Sequence, residues 1–308
     1  MFGTKLYASP VIAMAFLSLT TVACAQSQLS DVSSAVKTDQ TPDSDLSREH
    51  EDRRAELLSA FFGLDDDRRL KRAARRSCNI SNASDGMPVI FSEELDPTTI
   101  EAGDIRVELS SGDLGDVTCV TLAPALEPGE HRTLLTLGDF GDAIENPPVR
   151  VEIVGNLHDK TGSLNFRGAS IAVTPLDAGP SLVLAHPVPQ SAWKTDDKTQ
   201  ANWRKQANCP EGGLKQIIRT VWDGGVRPIP EQTQDTSLAD LYSVTIEQAD
   251  GTQLTISPFS VGNLADRDNN HELCLDVEGR PIRVAFPGGY LADPNYDAND
   301  DTSVEITR

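Results

Sequence analysis

The last acidic loop of the chain carries side-chain oxygens at every second position, which is the spacing of a calcium ligand set. Calcium takes roughly six to eight hard oxygen ligands, and alternating Asp and Asn side chains can wrap one ion. An EF-hand loop would need a glycine where this loop has Ala298, so the pattern predicts a simpler inter-strand calcium site. The predicted ligands are Asp293, Asn295, Asp297, Asn299 and Asp301.

A second oxygen-rich run, Asp-Arg-Asp-Asn-Asn at 266–270, offers the same kind of ligand. For both runs the competing interpretation is an exposed turn, because Asp and Asn hydrogen-bond to their own backbone and favour turns. Calcium is the one cofactor that the sequence suggests.

The residues that would reveal an enzyme do not form a known catalytic motif. None of the five histidines has a second histidine at metal-ligand spacing. The pair His271-Glu272 begins an H-E-x-x-H motif, but Leu275 stands where the second histidine belongs. Neither a G-x-S-x-G elbow nor a phosphate-binding loop occurs. We therefore expect a non-enzymatic protein. A hydrolase of the cell envelope is the alternative, because a Ser-His-Asp triad assembles in space and need not show in sequence.

The cysteines indicate two disulfides in an oxidising compartment. Cys24 lies beside the export signal, which leaves Cys78, Cys119, Cys209 and Cys274 in the folded part. Four cysteines in an exported chain predict two bridges with three possible pairings. Pairing Cys78 with Cys119 and Cys209 with Cys274 is the simplest, since each bridge then stays within one half of the chain. The absence of C-x-x-C spacing argues against zinc.

Residues 1–23 have the features of a signal peptide. Lys5 is followed by the apolar stretch Val11–Leu19, which is too short to span a bilayer. The run Thr21-Val22-Ala23-Cys24 resembles a lipobox, which implies cleavage before Cys24 and acylation of its thiol. Ala23-Cys24-Ala25 also suits ordinary signal peptidase. The protein is therefore expected to be a membrane-anchored lipoprotein of the cell envelope, or a periplasmic or secreted protein if it is cleaved after Ala25.

Net charge and composition place further bounds on the partners. The formal net charge is −20, and such an acidic surface repels nucleic acid and anionic lipid headgroups. Contact with a membrane is expected only through the lipid anchor. The polar residues 24–47 lack hydrophobic periodicity and predict a flexible tether.

The remaining chain divides into a helical segment and two β-rich halves. Residues 48–77 predict a helix, because Leu57, Leu58, Phe61 and Phe62 fall at helical spacing. After it, period-two alternation and regular turns predict antiparallel strands. We expect a sandwich over 78–186, a linker over 187–208 and a second sandwich over 209–308. The predicted strands are Val89–Phe91, Ile105–Leu109, Val117–Leu122, Thr133–Leu137, Val149–Val154, Ile171–Thr174, Leu182–Ala185, Gln216–Trp222, Tyr242–Glu247, Gln253–Ile256, Glu272–Val277, Ile282–Phe286 and Ser303–Ile306.

An internal repeat supports the tandem organisation. Pro148–Asp159 returns as Pro281–Asp293 with one residue inserted before the leucine. Each copy consists of an alternating strand, a glycine turn, an apolar residue and an acidic loop. The fold class predicted is mainly β, with two tandem antiparallel sandwiches after a short helical segment.

The first half resembles a bacterial Ig-like domain of the kind found in surface-layer proteins and adhesins. The opening Phe91–Thr99 has the strand, the serine-acidic pair and the Leu-Asp-Pro turn of that family, and Val154–Gly162 resembles its closing loop. The second half matches only in strand periodicity and closing loop. The two-unit arrangement also resembles exported proteobacterial proteins. The resemblance implies Ig-like modules that act as spacers or bind an envelope protein or polysaccharide, with a calcium-stabilised adhesive module as an alternative.

Overall fold

A computed structural model describes residues 53–79, 83–196, 208–264 and 268–307. Within these ranges, strands form wherever the period-two pattern of the sequence predicts them. These residues belong to one compact unit, Asp52–Arg308. The signal peptide, the tether and Cys24 lie outside the described residues. Within the described ranges, no helix has both the length and the apolar character needed to cross a bilayer.

The first module consists of two antiparallel sheets. The elements of this module are β1 (Leu57–Ala60), α1 (Arg68–Ser77), β2 (Asp85–Phe91), β3 (Ile105–Leu109), β4 (Asp116–Thr121), β5 (Thr133–Asp139), β6 (Pro148–Ile153) and β7 (Ser170–Ala172). One sheet has the strand order β1-β2-β5-β4 and the other β3-β6-β7. Short 3-10 turns occupy Pro97–Thr99 and Ala102–Asp104.

The second module is built on two four-stranded antiparallel sheets. Its elements are β8 (Leu182–Pro187), β9 (Thr195–Asp196), β10 (Cys209–Pro210), β11 (Gln216–Trp222), β12 (Arg227–Pro228), α2 (Pro230–Thr233), α3 (Leu238–Leu241), β13 (Ser243–Glu247), β14 (Gln253–Ile256), β15 (Ser260–Gly262), β16 (Asn270–Leu275), β17 (Arg280–Phe286), β18 (Leu291–Ala292) and β19 (Thr302–Glu305). The sheets have the orders β15-β16-β11-β8 and β14-β13-β17-β19, with the small pairs β12-β18 and β9-β10 beside them. A 3-10 turn lies at Gln190–Ala192.

Each module encloses a core between its two sheets. In the first module, alternate residues of β2, Val89 and Phe91, meet Val107 of β3 and Val151 of β6. The core of the second module gathers the inward residues of β11, β13, β16 and β17. Because side chains alternate across a strand, the other residues of β2 and β11 are left for the outer faces of their sheets.

The boundary between the modules lies earlier than the sequence predicts. The strand at 182–187 was expected in a first sandwich over 78–186, but β8 pairs with β11 of the second module, with Ala185 opposite Thr220. The expected linker over 187–208 is likewise part of the second module where it is described, since Val188 and Trp193 pack beside Cys209. Alternation identifies a strand without identifying its partner, which explains the error.

The predicted helix over 48–77 is correct only in its second half. Leu57–Ala60 is a strand that pairs with β2, whereas Arg68–Ser77 is helical. The residues Leu57, Phe61 and Phe62 are buried. A run of paired apolar residues suits a helix face, but it equally suits a short strand that is covered on both faces. Residues 48–52 lie outside the described ranges.

The structure pairs the cysteines in the simplest of the three ways. Cys78 bonds to Cys119 and Cys209 bonds to Cys274, with Cα–Cα distances of 6.1 and 5.7 Å. The first bridge ties the end of α1 to β4, where Leu70 and Ala74 of the helix pack on Leu137. The second bridge joins β10 to β16.

The two modules pack against each other through the outer faces of two sheets. Ile90 of β2 contacts Leu184 of β8 and Val221 of β11, and together they form a small buried apolar cluster. The outer face of β11 therefore meets the first module, and the charged residue of that face, Arg219, is brought into the contact.

Candidate functional site

The repeated closing motif places one buried aspartate at the same point in each module. In the first module the carboxylate of Asp159 accepts hydrogen bonds from Leu164 N at 2.7 Å, Thr161 Oγ1 at 2.6 Å and Arg53 Nη2 at 2.8 Å. Burial favours the neutral acid, but the hydrogen bonds from Thr161, Leu164 and Arg53 outweigh it and hold the pKa of Asp159 well below its ordinary value. Asp159 is thus an ionised anchor for the loop.

Asp293, its counterpart, is equally buried but has a different environment. Its carboxylate accepts hydrogen bonds from Asp297 N at 2.9 Å and Asn295 Nδ2 at 3.2 Å. Burial and the nearby charge of Asp297 outweigh these hydrogen bonds and raise the pKa of Asp293. The second closing loop is therefore organised by a carboxyl group whose pKa is shifted in the opposite direction from that of Asp159.

The remaining predicted calcium ligands are also engaged in hydrogen bonds that fold the loop. Asn299 Oδ1 accepts from Leu291 N at 2.9 Å, and Asp301 Oδ1 accepts from Gly288 N at 2.7 Å. Asn295 Nδ2 donates to Gly63 O of the first module at 2.7 Å. Calcium binding by Asp293, Asn295, Asp297, Asn299 and Asp301 stays a prediction, and it requires the ion to compete with these backbone amides.

A buried arginine forms the centre of the contact between the modules. Arg219 lies on the outer face of β11, with only 7% of its side chain exposed. Its Nη2 donates to Glu272 Oε1 of the paired strand β16 at 2.6 Å, and its Nη1 donates to Pro128 O of the first module at 3.1 Å. A side chain on Gly129 would strike this guanidinium, so a residue without a Cβ is required beside Pro128.

Three carboxyl groups from the two modules converge next to Arg219. The carboxylate oxygens of Glu127, Glu130 and Asp268 lie within 4.8 Å of one another. Glu130 is fully buried, receives a hydrogen bond from Asn263 Nδ2, and lies 3.9 Å from Arg219 Nη2. Burial, the charge of Asp268 and a hydrogen bond to Glu127 raise the pKa of Glu130 to about 9, against the opposing effect of Arg219. Glu130 is therefore protonated at neutral pH.

Asparagine side chains add further hydrogen bonds across the same contact. Asn269 Nδ2 donates to Thr133 Oγ1 of the first module at 3.0 Å and to Trp222 O at 2.6 Å. Asp268 and Asn270 of the run 266–270 are buried as well, so the described part of this run is not the exposed turn that was the competing interpretation. Asp266 and Arg267 lie outside the described residues.

The described histidines do not assemble with a nucleophile. His271 Nδ1 lies 2.8 Å from Tyr242 Oη, which also accepts from Trp222 Nε1 at 2.9 Å. Burial lowers the pKa of His271 to about 4, so this network is neutral and lies inside the core. The rings of His131, His158 and His186 contact a backbone carbonyl or an asparagine. In the described ranges no histidine ring is hydrogen-bonded to a serine or cysteine, and His50 lies outside them.

Sequence reasoning missed the residues that join the modules, namely Arg219, Glu130 and Asn263. A signal was present, because Arg219 is the single charged residue of β11 and Glu272 that of β16, and both strands are almost wholly buried. A charge within a strand that is buried on both faces indicates a buried partner. The identity of that partner, in a loop some ninety residues away, could not be read from the strand.

Comparison with known proteins leaves the family open. No family model matches the chain, and no curated protein matches it. Two solved structures of a bacterial S-layer protein, SbsC, align with 85% of the chain. The N-terminal part of SbsC aligns at 9% identity with a TM-score of 0.28 over 46% of its length, and SbsC domains 1–6 align at 10% identity with a TM-score of 0.29 over 27%. The chain thus spans less than half of either structure, and TM-scores this low do not establish a shared fold.

Proposed function

We propose that this chain is a non-enzymatic, exported protein of the cell envelope whose two Ig-like sandwiches act together as one stiff spacer or binding platform. The observation that carries the proposal is the buried bridge formed by Arg219, which contacts Glu272 in its own module and Pro128 in the other. Separating the modules would break the charge-assisted hydrogen bond from Arg219 to Pro128 O, and hydrogen bonds of this kind contribute about 1.5–3 kcal/mol. Two modules that are joined in this way are suited to act as a spacer of fixed length and fixed orientation.

The two disulfides support export. Bridges such as Cys78–Cys119 and Cys209–Cys274 persist in oxidising compartments and are rare in the cytosol. They agree with the predicted signal peptide, and acylation of Cys24 would attach the module pair to a membrane through the tether over 24–47. Lipidation is the part of the proposal that rests on the sequence alone.

The partner in a binding role would be an envelope protein or polysaccharide. Exposed apolar side chains of the described chain are spread singly over loops and edges, as with Ile144 and Leu254. One aromatic stands out. The ring of Tyr296 is 74% exposed, and the guanidinium of Arg227 lies 3.8 Å from its centre. The guanidinium covers one face of the Tyr296 ring, and the other face is available for contact with a partner at the tip of the loop.

Cell fractionation followed by intact-mass measurement tests the proposal. The protein should be recovered in the membrane fraction as a chain that begins at Cys24 and carries a diacyl or triacyl adduct on that residue, and its four other cysteines should resist alkylation until a reductant is added. A Cys24→Ala variant should lose the adduct and the membrane association while it keeps both disulfides. Full-length chain in the cytoplasm with alkylatable Cys78 and Cys209 would refute the proposed role.

A further inference from the structure

The strand β14 forms an open edge of the second module. It ends the sheet β14-β13-β17-β19, and in the described part of the chain β13 is the only strand that pairs with it. Gln253, Leu254 and Thr255 of β14 are exposed, so no neighbouring element covers this edge. An edge strand in this position presents unpaired backbone N–H and C=O groups to solvent.

The register of the hairpin identifies the backbone groups of β14 that face outward. Gln248 N donates to Thr252 O at the turn, and β13 and β14 then pair without a bulge. Bonded and non-bonded positions alternate along antiparallel strands, so the next residue of β14 that bonds to β13 is Leu254. The N–H and C=O groups of Gln253 and Thr255 therefore point away from β13 and can bond to another strand.

The side chains of β14 extend the apolar face of the sheet past the core. Leu254 lies opposite Ile246 of β13, so the two side chains share the face of the sheet that packs on the core. Ile246 is fully buried, whereas Leu254 is 45% exposed. The difference arises because the sheet ends at β14. A further strand at this edge would bury the exposed part of Leu254, which is favourable for an apolar side chain.

The edge also lacks the charges that prevent pairing between chains. Residues 251–265 contain no Asp, Glu, Lys or Arg, although charged residues make up 24% of the chain. The opposite edge of the same sheet, β19, contains Glu305 and follows Asp300 and Asp301. Charged side chains on an edge strand oppose pairing with another chain. Two copies of a protein with a net charge of −20 meet with less repulsion at an uncharged surface such as β14.

We propose that β14 pairs with β14 of a second copy of this chain, across a two-fold axis at Leu254. In this register Gln253 of one copy lies opposite Thr255 of the other, and each such pair exchanges both of its N–H···O bonds. Leu254 lies opposite Leu254 of the second copy at a non-bonded position, where the Cα atoms are about 4.5 Å apart. A two-fold contact must be self-complementary, and the alternation along β14 meets this requirement.

Sedimentation velocity at micromolar to near-millimolar concentrations tests the proposal. The chain from residue 24 onward with the substitution Cys24→Ala is used, because it carries no acyl group and needs no detergent. A contact between two short strands buries less than about 1,200 Å² in total, so we expect a reversible monomer–dimer equilibrium. The dimer should become stronger as salt screens the repulsion between two acidic copies. A chain that stays monomeric throughout this range at high salt would overturn the proposal.

A charge at the two-fold axis should disrupt the contact. Leu254→Lys places two positive charges directly opposite each other and should weaken dimerisation at least about tenfold. Ile144→Lys is the matched control, because it makes the same change of charge at an apolar side chain of the first module that is 91% exposed, and it should leave dimerisation unchanged. Melting curves verify that both variants are folded. Dimerisation that survives Leu254→Lys would contradict the assignment to β14.

Disulfide cross-linking in the same Cys24→Ala chain tests the register. Leu254→Cys should form an inter-chain disulfide under mild oxidation, because Cα atoms about 4.5 Å apart lie within the range of about 4.4–6.8 Å that a disulfide spans. Thr255→Cys should cross-link far more slowly, because Thr255 of the second copy is a diagonal neighbour about 7–8 Å away. Equal rates for the two variants would overturn pairing about Leu254. The inference goes beyond the proposed function and holds whether or not Cys24 is acylated.

Discussion

The closing loops of the two modules place a buried aspartate at the same point, but the pKa values of the two aspartates are shifted in opposite directions. Leu157 and Leu291 are fully buried in their cores, and Asp159 and Asp293 follow them two residues later with equal burial. Asp159 is held as an anion by hydrogen bonds from Thr161 and Leu164 of its own loop and from Arg53, which precedes β1 and lies outside the repeat. Burial and the charge of Asp297 raise the pKa of Asp293. A repeated motif thus fixes where a carboxyl group lies, while the residues around that group shift its pKa in opposite directions.

The same contrast extends to the contact between the modules. The pKa of Glu130 at the contact is raised to about 9 and that of Asp223 in the second module to about 7, both mainly by burial. The closing loop of the first module is stabilised by ionisation of Asp159. The contact and the second module are stabilised by protons on their carboxyl groups. The two parts should therefore respond to pH in opposite directions.

The largest expected effect is a loss of stability as pH rises from 4.5 to about 9, caused by ionisation of Glu130. Its pKa in the folded protein is higher than its ordinary value of 4.5, so the stability it contributes is complete below pH 4.5 and is lost as pH rises toward about 9. One such proton corresponds to a slope of about 1.4 kcal/mol per pH unit. Urea unfolding at a series of pH values should show the decline in the wild type and a flatter profile in Glu130→Gln. Parallel profiles would show that Glu130 is ionised in the folded protein.

The next largest effect is expected from Asp159→Asn. The substitution removes the charge that Arg53 faces and places an amide where Thr161 and Arg53 donate, which should lower the free energy of unfolding by about 2–3 kcal/mol. Chemical denaturation measures the loss. In an Arg53→Met background the same change should cost less, because the cation that pairs with Asp159 is then absent. Equal costs in the two backgrounds would contradict a role for the ion pair.

The corresponding change in the second module, Asp293→Asn, should be much milder. Burial and the charge of Asp297 make ionisation less favourable at this site than at Asp159, and the oxygen of an amide can still accept from Asp297 N. We expect a change below about 1 kcal/mol in the free energy of unfolding at neutral pH. The difference between the losses in free energy of unfolding for Asp159→Asn and Asp293→Asn measures how differently the two loops stabilise a carboxylate. A loss for Asp293→Asn as large as that for Asp159→Asn would contradict this difference between the loops.

The smallest expected effect concerns calcium at the second closing loop. If the predicted site binds calcium, the ion should raise the melting temperature of the wild type, and Asp297→Ala should abolish that shift. Melting curves in excess calcium and in chelator provide the test, with Asp159→Ala as the variant in the other loop that should keep the shift. Identical curves for the wild type under both conditions would exclude calcium as the stabilising ion.

The strands of this protein are readable from its sequence because their side chains alternate between a core and another face. Ile105–Leu109, Gln216–Trp222 and Gln253–Ile256 have the predicted bounds. The pairing of strands was not readable. β8 follows the first module in sequence, but it pairs with β11 of the second module. The apolar residues of β1 have helical spacing because this strand is covered on both faces.

The contact between the modules could not be predicted from sequence patterns, for a related reason. Its residues come from a turn near Pro128, from the strands β11 and β16 and from loops near Asn263 and Asn295. Each segment resembles an ordinary turn or strand in isolation. Only the folded chain brings their charges together, and the local signs were single charged residues, Arg219 and Glu272, within the buried strands β11 and β16.

Differential scanning calorimetry of the full chain tests most directly whether the two modules form one unit joined at Arg219. The account predicts a single transition whose calorimetric and van't Hoff enthalpies agree, and a lower melting temperature for Arg219→Met. Two resolved transitions in the wild type, one for each sandwich, would contradict it.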